Sequence, residues 1–212
     1  MDVDEAQDRM QEIQRIMERA TLFTLLPGSS AIIGGLLVLV GCAVSYGMFR
    51  SLDFADIISL PFNMQAGFCV MWFVIGVIGV LVEVILTTRA AAKQQLVPTS
   101  RPMRVAAFSL TPSVVVAMVL TVKFLSPVEP RADEIRYIVP VWMMLYGTGV
   151  YTAGLFSIRA PRVLGLLFLA MGIFALMCFP QYGVVSAVLS FGLLHIGFGI
   201  YILWKQRQTV TS

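Results

Sequence analysis

Two side chains able to carry a proton lie inside apolar runs of this chain, Glu83 and His195. A carboxylate within a membrane span is costly to bury, so it marks an ion path, a ligand contact or an interhelical pair. Histidine titrates near neutrality and could relay protons, touch a ligand or supply one axial haem ligand. The chain has a single His, which excludes bis-histidine haem ligation within one copy. Tyr146 falls at similar depth to His195 and is its expected hydrogen-bond partner. Glu83 stands six residues before Arg89, about 9 Å along a helix, so a direct Glu83–His195 pair is not expected. A bland role competes with each chemical one. Glu83 is close enough to a rim to be satisfied by protonation, by a loop arginine or by snorkelling. For His195, an ordinary interhelical hydrogen bond is the commoner fate.

Other chemistry is thinly represented. Cys42, Cys69 and Cys178 show no C-x-x-C or His/Cys ligand spacing and read as small buried hydrophobes. No metal site, cofactor or catalytic residue is expected, since no hydrolase elbow, zinc helix, P-loop or carboxylate pair occurs. Gly147-x-Gly149 and Gly197-x-Gly199 lie within apolar runs and are not nucleotide loops. The twelve Met are dispersed and read as packing.

The elements that must position these groups are six apolar stretches, 24–49, 66–88, 105–125, 137–157, 163–180 and 184–204. A span needs ~20 apolar residues, and unpaired backbone amides in lipid force such runs into helices. Hydrophobic residues make up 58% of the chain and the mean hydropathy is +0.85. The expected fold is therefore all-α: a polytopic six-helix membrane protein arranged as three hairpins, with 23–204 as the membrane domain.

Basic residues segregate. Arg9, Arg15 and Arg19 precede the first run, Arg89, Lys93, Arg101 and Arg104 occupy the second connection, Arg159 and Arg162 the fourth, and Lys205 and Arg207 the tail 205–212. Only Arg50, Lys123, Arg131 and Arg136 fall on the other side. Basic residues in short loops stay cytoplasmic, so both termini are expected inside, which an even number of helices requires. The acidic N-terminus lacks a basic n-region and a cleavage site, so the first run is expected to remain as a signal anchor. The topology rule accounts for the net charge of +3, and no nucleic-acid partner is expected.

Segment 1–22 contains an amphipathic pattern over 5–20, with Met10, Ile13, Met17 and Ala20 at helical spacing. Its six acids oppose an anionic lipid surface and favour docking on the basic second connection. In the first outer loop, Leu52–Leu60 reads as an interfacial segment with Asp53 and Asp56 facing water.

The hairpins look repeated. Arg19-x-x-x-Phe23-Thr-Leu25-x-Pro27 matches Arg104-x-x-x-Phe108-Ser-Leu110-x-Pro112, and Trp72 to Arg89 matches Trp142 to Arg159, pairing Gly79 with Gly149. Chance likeness among apolar helices competes with true repetition; parallel repeats of this kind occur in transporters.

Pro140-Val-Trp142-Met-Met-Leu-Tyr146-Gly147, Ala153-Gly154-Leu-Phe-Ser157-Ile-Arg159-Ala-Pro-Arg162-Val-Leu164-Gly165 and Gly192-Leu-Leu-His195-Ile-x-Phe-Gly199, with Gly183 and Ile13-Gln-Arg-Ile-Met17-Glu18-Arg19-Ala20, carry a resemblance. The chain resembles a family of small, uncharacterised six-helix bacterial inner-membrane proteins, often encoded beside winged-helix regulators. The resemblance covers most of the chain, least in the first outer loop. It implies a regulatory or stress-response setting and no substrate. Three functions are therefore carried forward. The leading one is a non-enzymatic regulatory or assembly partner, as a hetero- or homo-oligomer in the lipid bilayer. The others are a small ion-coupled transporter using Glu83 and His195, and an accessory subunit of a larger membrane complex.

Overall fold

A computed structural model describes residues 9–10, 28–93, 101–125, 132–155 and 159–211. All secondary structure among them is helical: α1 (Gly28–Phe49), a 3-10 turn (Phe54–Ser59), α2 (Phe62–Lys93), α3 (Arg101–Phe124), α4 (Ala132–Arg136), α5 (Ile138–Leu155), α6 (Arg159–Cys178), and a last helix in three parts. Those parts are α7 (Gly183–Ala187), a π-helical segment (Val188–Leu194) and α8 (His195–Thr211). Five helical stretches are long and apolar enough to cross a membrane: Gly28–Phe49, Phe62–Ala90, Glu134–Leu155, Arg159–Cys178 and Gly183–Gln208. The third expected run, 105–125, lies in α3. This helix is 24 residues long and covers that run as far as Phe124, and its apolar stretch among the described residues is Phe108–Phe124. The amphipathic segment 5–20 lies outside the described residues, except that Arg9 and Met10 are helical.

Glycines set which helices touch. A Cβ on Gly35 would stand 2.7 Å from the Gly192 carbonyl oxygen, and one on Gly199 would run into the Gly28 carbonyl. These paired glycines, seven residues apart on each helix, let the first and last helices meet backbone to backbone. The same device joins α5 to α6: a Cβ on Gly147 would lie 2.8 Å from the Gly165 carbonyl oxygen and 2.9 Å from the Leu169 amide. α5 also packs on α3, and α1 on α2. The expected third hairpin is looser. α6 and the last helix do not meet backbone to backbone as the glycine-paired helices do, and large side chains bridge them, the rings of Phe168 and Phe191 being 5.0 Å apart.

One end of the bundle is closed by the turn after α1, here called the turn end; the end carrying Arg89, Arg104 and Arg159 is the basic end. The expectation that Asp53 faces water fails, while Asp56 is exposed as expected. Asp53, Phe54, Ala55 and Ile57 are buried. Asp53 accepts a hydrogen bond from the Ala55 amide at 2.9 Å, capping the 3-10 turn, and pairs with Arg136 Nε at 2.6 Å. The Val184 amide donates to the Leu52 carbonyl at 3.0 Å, tying the turn to α7. Phe54 then sits among Phe49, Phe68 and Trp72, with ring centroids 5.7–6.3 Å from its own. Apolar burial of this kind, about 25 cal/mol per Å², turns the segment inward once its acid has a cation and a cap.

Candidate functional site

At mid-height, α5 presents Tyr146, α6 presents Phe168, and the last helix presents Phe191 and His195. Tyr146 Oη and His195 Nε2 are 2.8 Å apart. The His195 ring lies 5.1 Å from Phe168, edge to face, and 6.0 Å from Phe191, stacked at 15°. Phe168 is fully buried at the centre. The helix is π-wound from Val188 to Leu194 and returns to α-helical winding at His195. Such an insertion re-aims the residues that follow it and recurs at functional sites. Here it lies against Gly35 of α1, where only a glycine admits the displaced Gly192 carbonyl. Ser190, fully buried within it, donates back to the Ser186 carbonyl at 2.6 Å. His195 Nδ1 is buried with no partner at hydrogen-bond geometry, and the Ser190 backbone is its remaining polar neighbour. The arrangement is an imidazole clamped by one phenol inside an aromatic cage.

Glu83 lies beside this site rather than in it: its charge reaches Tyr146, but among the described residues no hydrogen bond joins them. It is an exposed residue of α2 that accepts hydrogen bonds from Ser30 Oγ of α1 and from Thr87 Oγ1 at 3.2 Å. No hydrogen bond joins it to Tyr146 or His195 among the described residues. Two hydroxyls satisfy its carboxylate and link α1 to α2 near the basic end.

Arg89, Arg104 and Arg159 are exposed at that end, while Arg162 is half-buried. The Arg162 stem passes over Gly154, where a Cβ would stand 2.8 Å from it, and its Nε is buried without a hydrogen bond. Lys93 and Arg101 are helical, and their side chains lie outside the described set. Cys42 is buried, whereas Cys69 and Cys178 are exposed, contrary to the reading of all three as buried. No three metal-ligating side chains gather among the described residues.

Sequence reasoning missed two hydroxyl clasps. Trp72 Nε1 donates to Ser45 Oγ at 3.2 Å, and Ser45 donates to the Gly41 carbonyl at 2.7 Å. Trp142 Nε1 donates to Thr121 Oγ1 at 2.7 Å, and Thr121 donates to the Ala117 carbonyl at 2.8 Å. The signal was present: each tryptophan follows a helix bearing a hydroxyl residue within an apolar run. It missed the Asp53–Arg136 pair as well, although an aspartate just before a short turn is a capping signal. Compared with family models, curated proteins and solved structures, the chain matches none.

Proposed function

We propose that this is a non-enzymatic integral membrane protein whose role is to assemble with a partner through α2. The observation that carries the reading is the isolation of that helix. Among the described residues Phe62–Ala90 is the most apolar span, yet its most apolar stretch contains no buried residue, and α1 is its principal neighbour. A Cβ at Gly67, Gly76 or Gly79 would meet nothing within 4 Å. Small residues with open space beside them fit a closely approaching helix better than lipid tails, which gain nothing from a notch. The reading takes six crossings with both termini cytoplasmic, α3 being the sixth, in a bacterial inner membrane. The basic count supports that orientation. The family resemblance supports a regulatory setting.

The test is disulfide trapping in native membranes through Cys69, which is exposed on α2, in a background lacking Cys42 and Cys178. Trapping to a second protein is expected, and a Gly76→Leu change should abolish it while leaving the isolated chain folded. A product of two copies of this chain would make the partner a homo-oligomer. No trapped product, with α2 accessible to lipid-soluble quenchers along its whole length, would end the reading.

The Tyr146–His195 pair favours a second reading, an ion-coupled carrier. No hydrogen bond among the described residues links the pair to Glu83, although the Glu83 charge reaches Tyr146. Solute flux in proteoliposomes that is lost in His195→Gln, with unchanged folding, would promote it over assembly.

A further inference from the structure

Two grooves lie between α6 and the last helix, one toward each end from the Phe168–Phe191–His195 level. The groove at the basic end encloses ≈ 360 Å³. Val163, Leu164, Leu167, Leu194 and Phe198 form its apolar floor, and Arg159 and Tyr201 stand at its mouth. The Lys205 ammonium lies 5.9 Å from the Tyr201 ring centroid, one turn further out. The groove at the turn end encloses ≈ 300 Å³ between the same helices, and no charged residue lines it. No Asp or Glu follows Glu134 in the sequence. The elements flanking the basic-end groove therefore bring only positive charge to it.

We propose that the basic-end groove binds an anionic phospholipid, with its phosphate at Arg159 and one acyl chain along the apolar floor. Three features converge on this occupant. The groove is half-open toward the side that faces lipid, so a chain can enter without crossing water. Its volume falls within the range of small-molecule sites, ~300–1,000 Å³. Its mouth carries a cation, and basic pockets between spans on the cytoplasmic side suit anionic headgroups. A zwitterionic lipid would find the same floor but would place its own cation beside Arg159. The inference rests on the membrane reading above; its test reads lipid rather than partner or orientation, so either can fail alone.

The full-length chain in mild detergent is mixed with phosphatidylglycerol or phosphatidylcholine of identical acyl chains, and bound lipid is read by native mass spectrometry. The phosphatidylglycerol adduct is expected to exceed the phosphatidylcholine adduct by roughly fivefold, as one surface cation implies. Arg159→Gln should lower the phosphatidylglycerol adduct by about fivefold and leave phosphatidylcholine unchanged. Gly197 also lines the groove, and its Cβ position is open. Gly197→Leu should therefore fill the space, lower both adducts and leave the melting temperature unchanged. Ser186→Leu, which fills the turn-end groove, should leave phosphatidylglycerol binding intact. Equal adducts of the two lipids, or adducts unaffected by Arg159→Gln and Gly197→Leu, would overturn the proposal. So would displacement of the lipid by glycerol phosphate at equal concentration, which would make the site one for a free phosphate. A dimer lost in Gly197→Leu with lipid binding unchanged would also overturn it, giving the groove to a second copy.

Discussion

α2 and α5 start from the same sequence device and end in opposite surroundings. Each has a tryptophan at the same distance from a basic end residue, Trp72 before Arg89 and Trp142 before Arg159. Each indole donates to a hydroxyl on the long helix before it. The hydroxyl lies 27 residues upstream in the first case and 21 in the second. The contact is therefore repeated while the sequence offset is not. Beyond the clasp the helices part company. A Cβ on Gly149 would lie 3.0 Å from Leu110, whereas one on its sequence counterpart Gly79 would meet open space. Equivalent glycines thus serve close packing in one helix and leave a notch in the other.

The largest expected contrast comes from filling these positions. Gly147→Leu forces a side chain into the backbone of α6 and should destabilise by about 3 kcal/mol or more, enough to prevent recovery of folded protein. Gly79→Leu should leave the melting temperature of the isolated chain unchanged. If both lower it equally, α2 is packed as α5 is, and the contrast is lost.

The turn end gives the next effect. Asp53→Ala removes the cap and the ion pair to Arg136, and should cost about 2 kcal/mol, the pair being discounted because Arg136 is partly exposed. Asp56→Ala, on the exposed side of the same turn, should cost ~0.5 kcal/mol or less. Thermal unfolding in detergent compares the two directly.

Smaller changes follow for the clasps. Trp72→Phe and Trp142→Phe each remove one interhelical hydrogen bond, worth ~0.6 kcal/mol on average within a membrane. The Trp142 change should cost more, because its bond is shorter and α5 is packed on two sides. Tyr146→Phe should cost a similar ~0.6–1.7 kcal/mol and leave His195 Nε2 without its phenol. A larger loss of transport or partner binding than of stability would give the pair a functional role.

The helical class was legible because lipid-length apolar runs admit few alternatives. Helix positions followed, with ends displaced by a few residues where polar side chains extend the helix beyond the apolar run, as at Phe62–Lys93. The Tyr146–His195 contact followed from depth alone, since both groups fall at the middle of their runs and neither can be left unpaired cheaply. The burial of Asp53 was not legible. Its partner Arg136 is 83 residues away, and local pattern cannot distinguish an aspartate facing water from one facing a distant cation.

By itself, then, the sequence determined which segments are helical, which end of each is basic and which side chains are chemically capable, because these depend on composition and on the 1.5 Å rise of a helix. The tertiary structure alone decided which helices touch. Gly28 and Gly35 could have faced any neighbour, and they face the last helix because Gly192 and Gly199 stand at matching heights on it. It also decided that α2 packs chiefly on α1 and leaves its other face uncovered, that two grooves lie between α6 and the last helix, and that a π-segment turns His195 into the aromatic cage. Each of these outcomes depends on the fit of two surfaces distant in sequence, and no single helix encodes that fit.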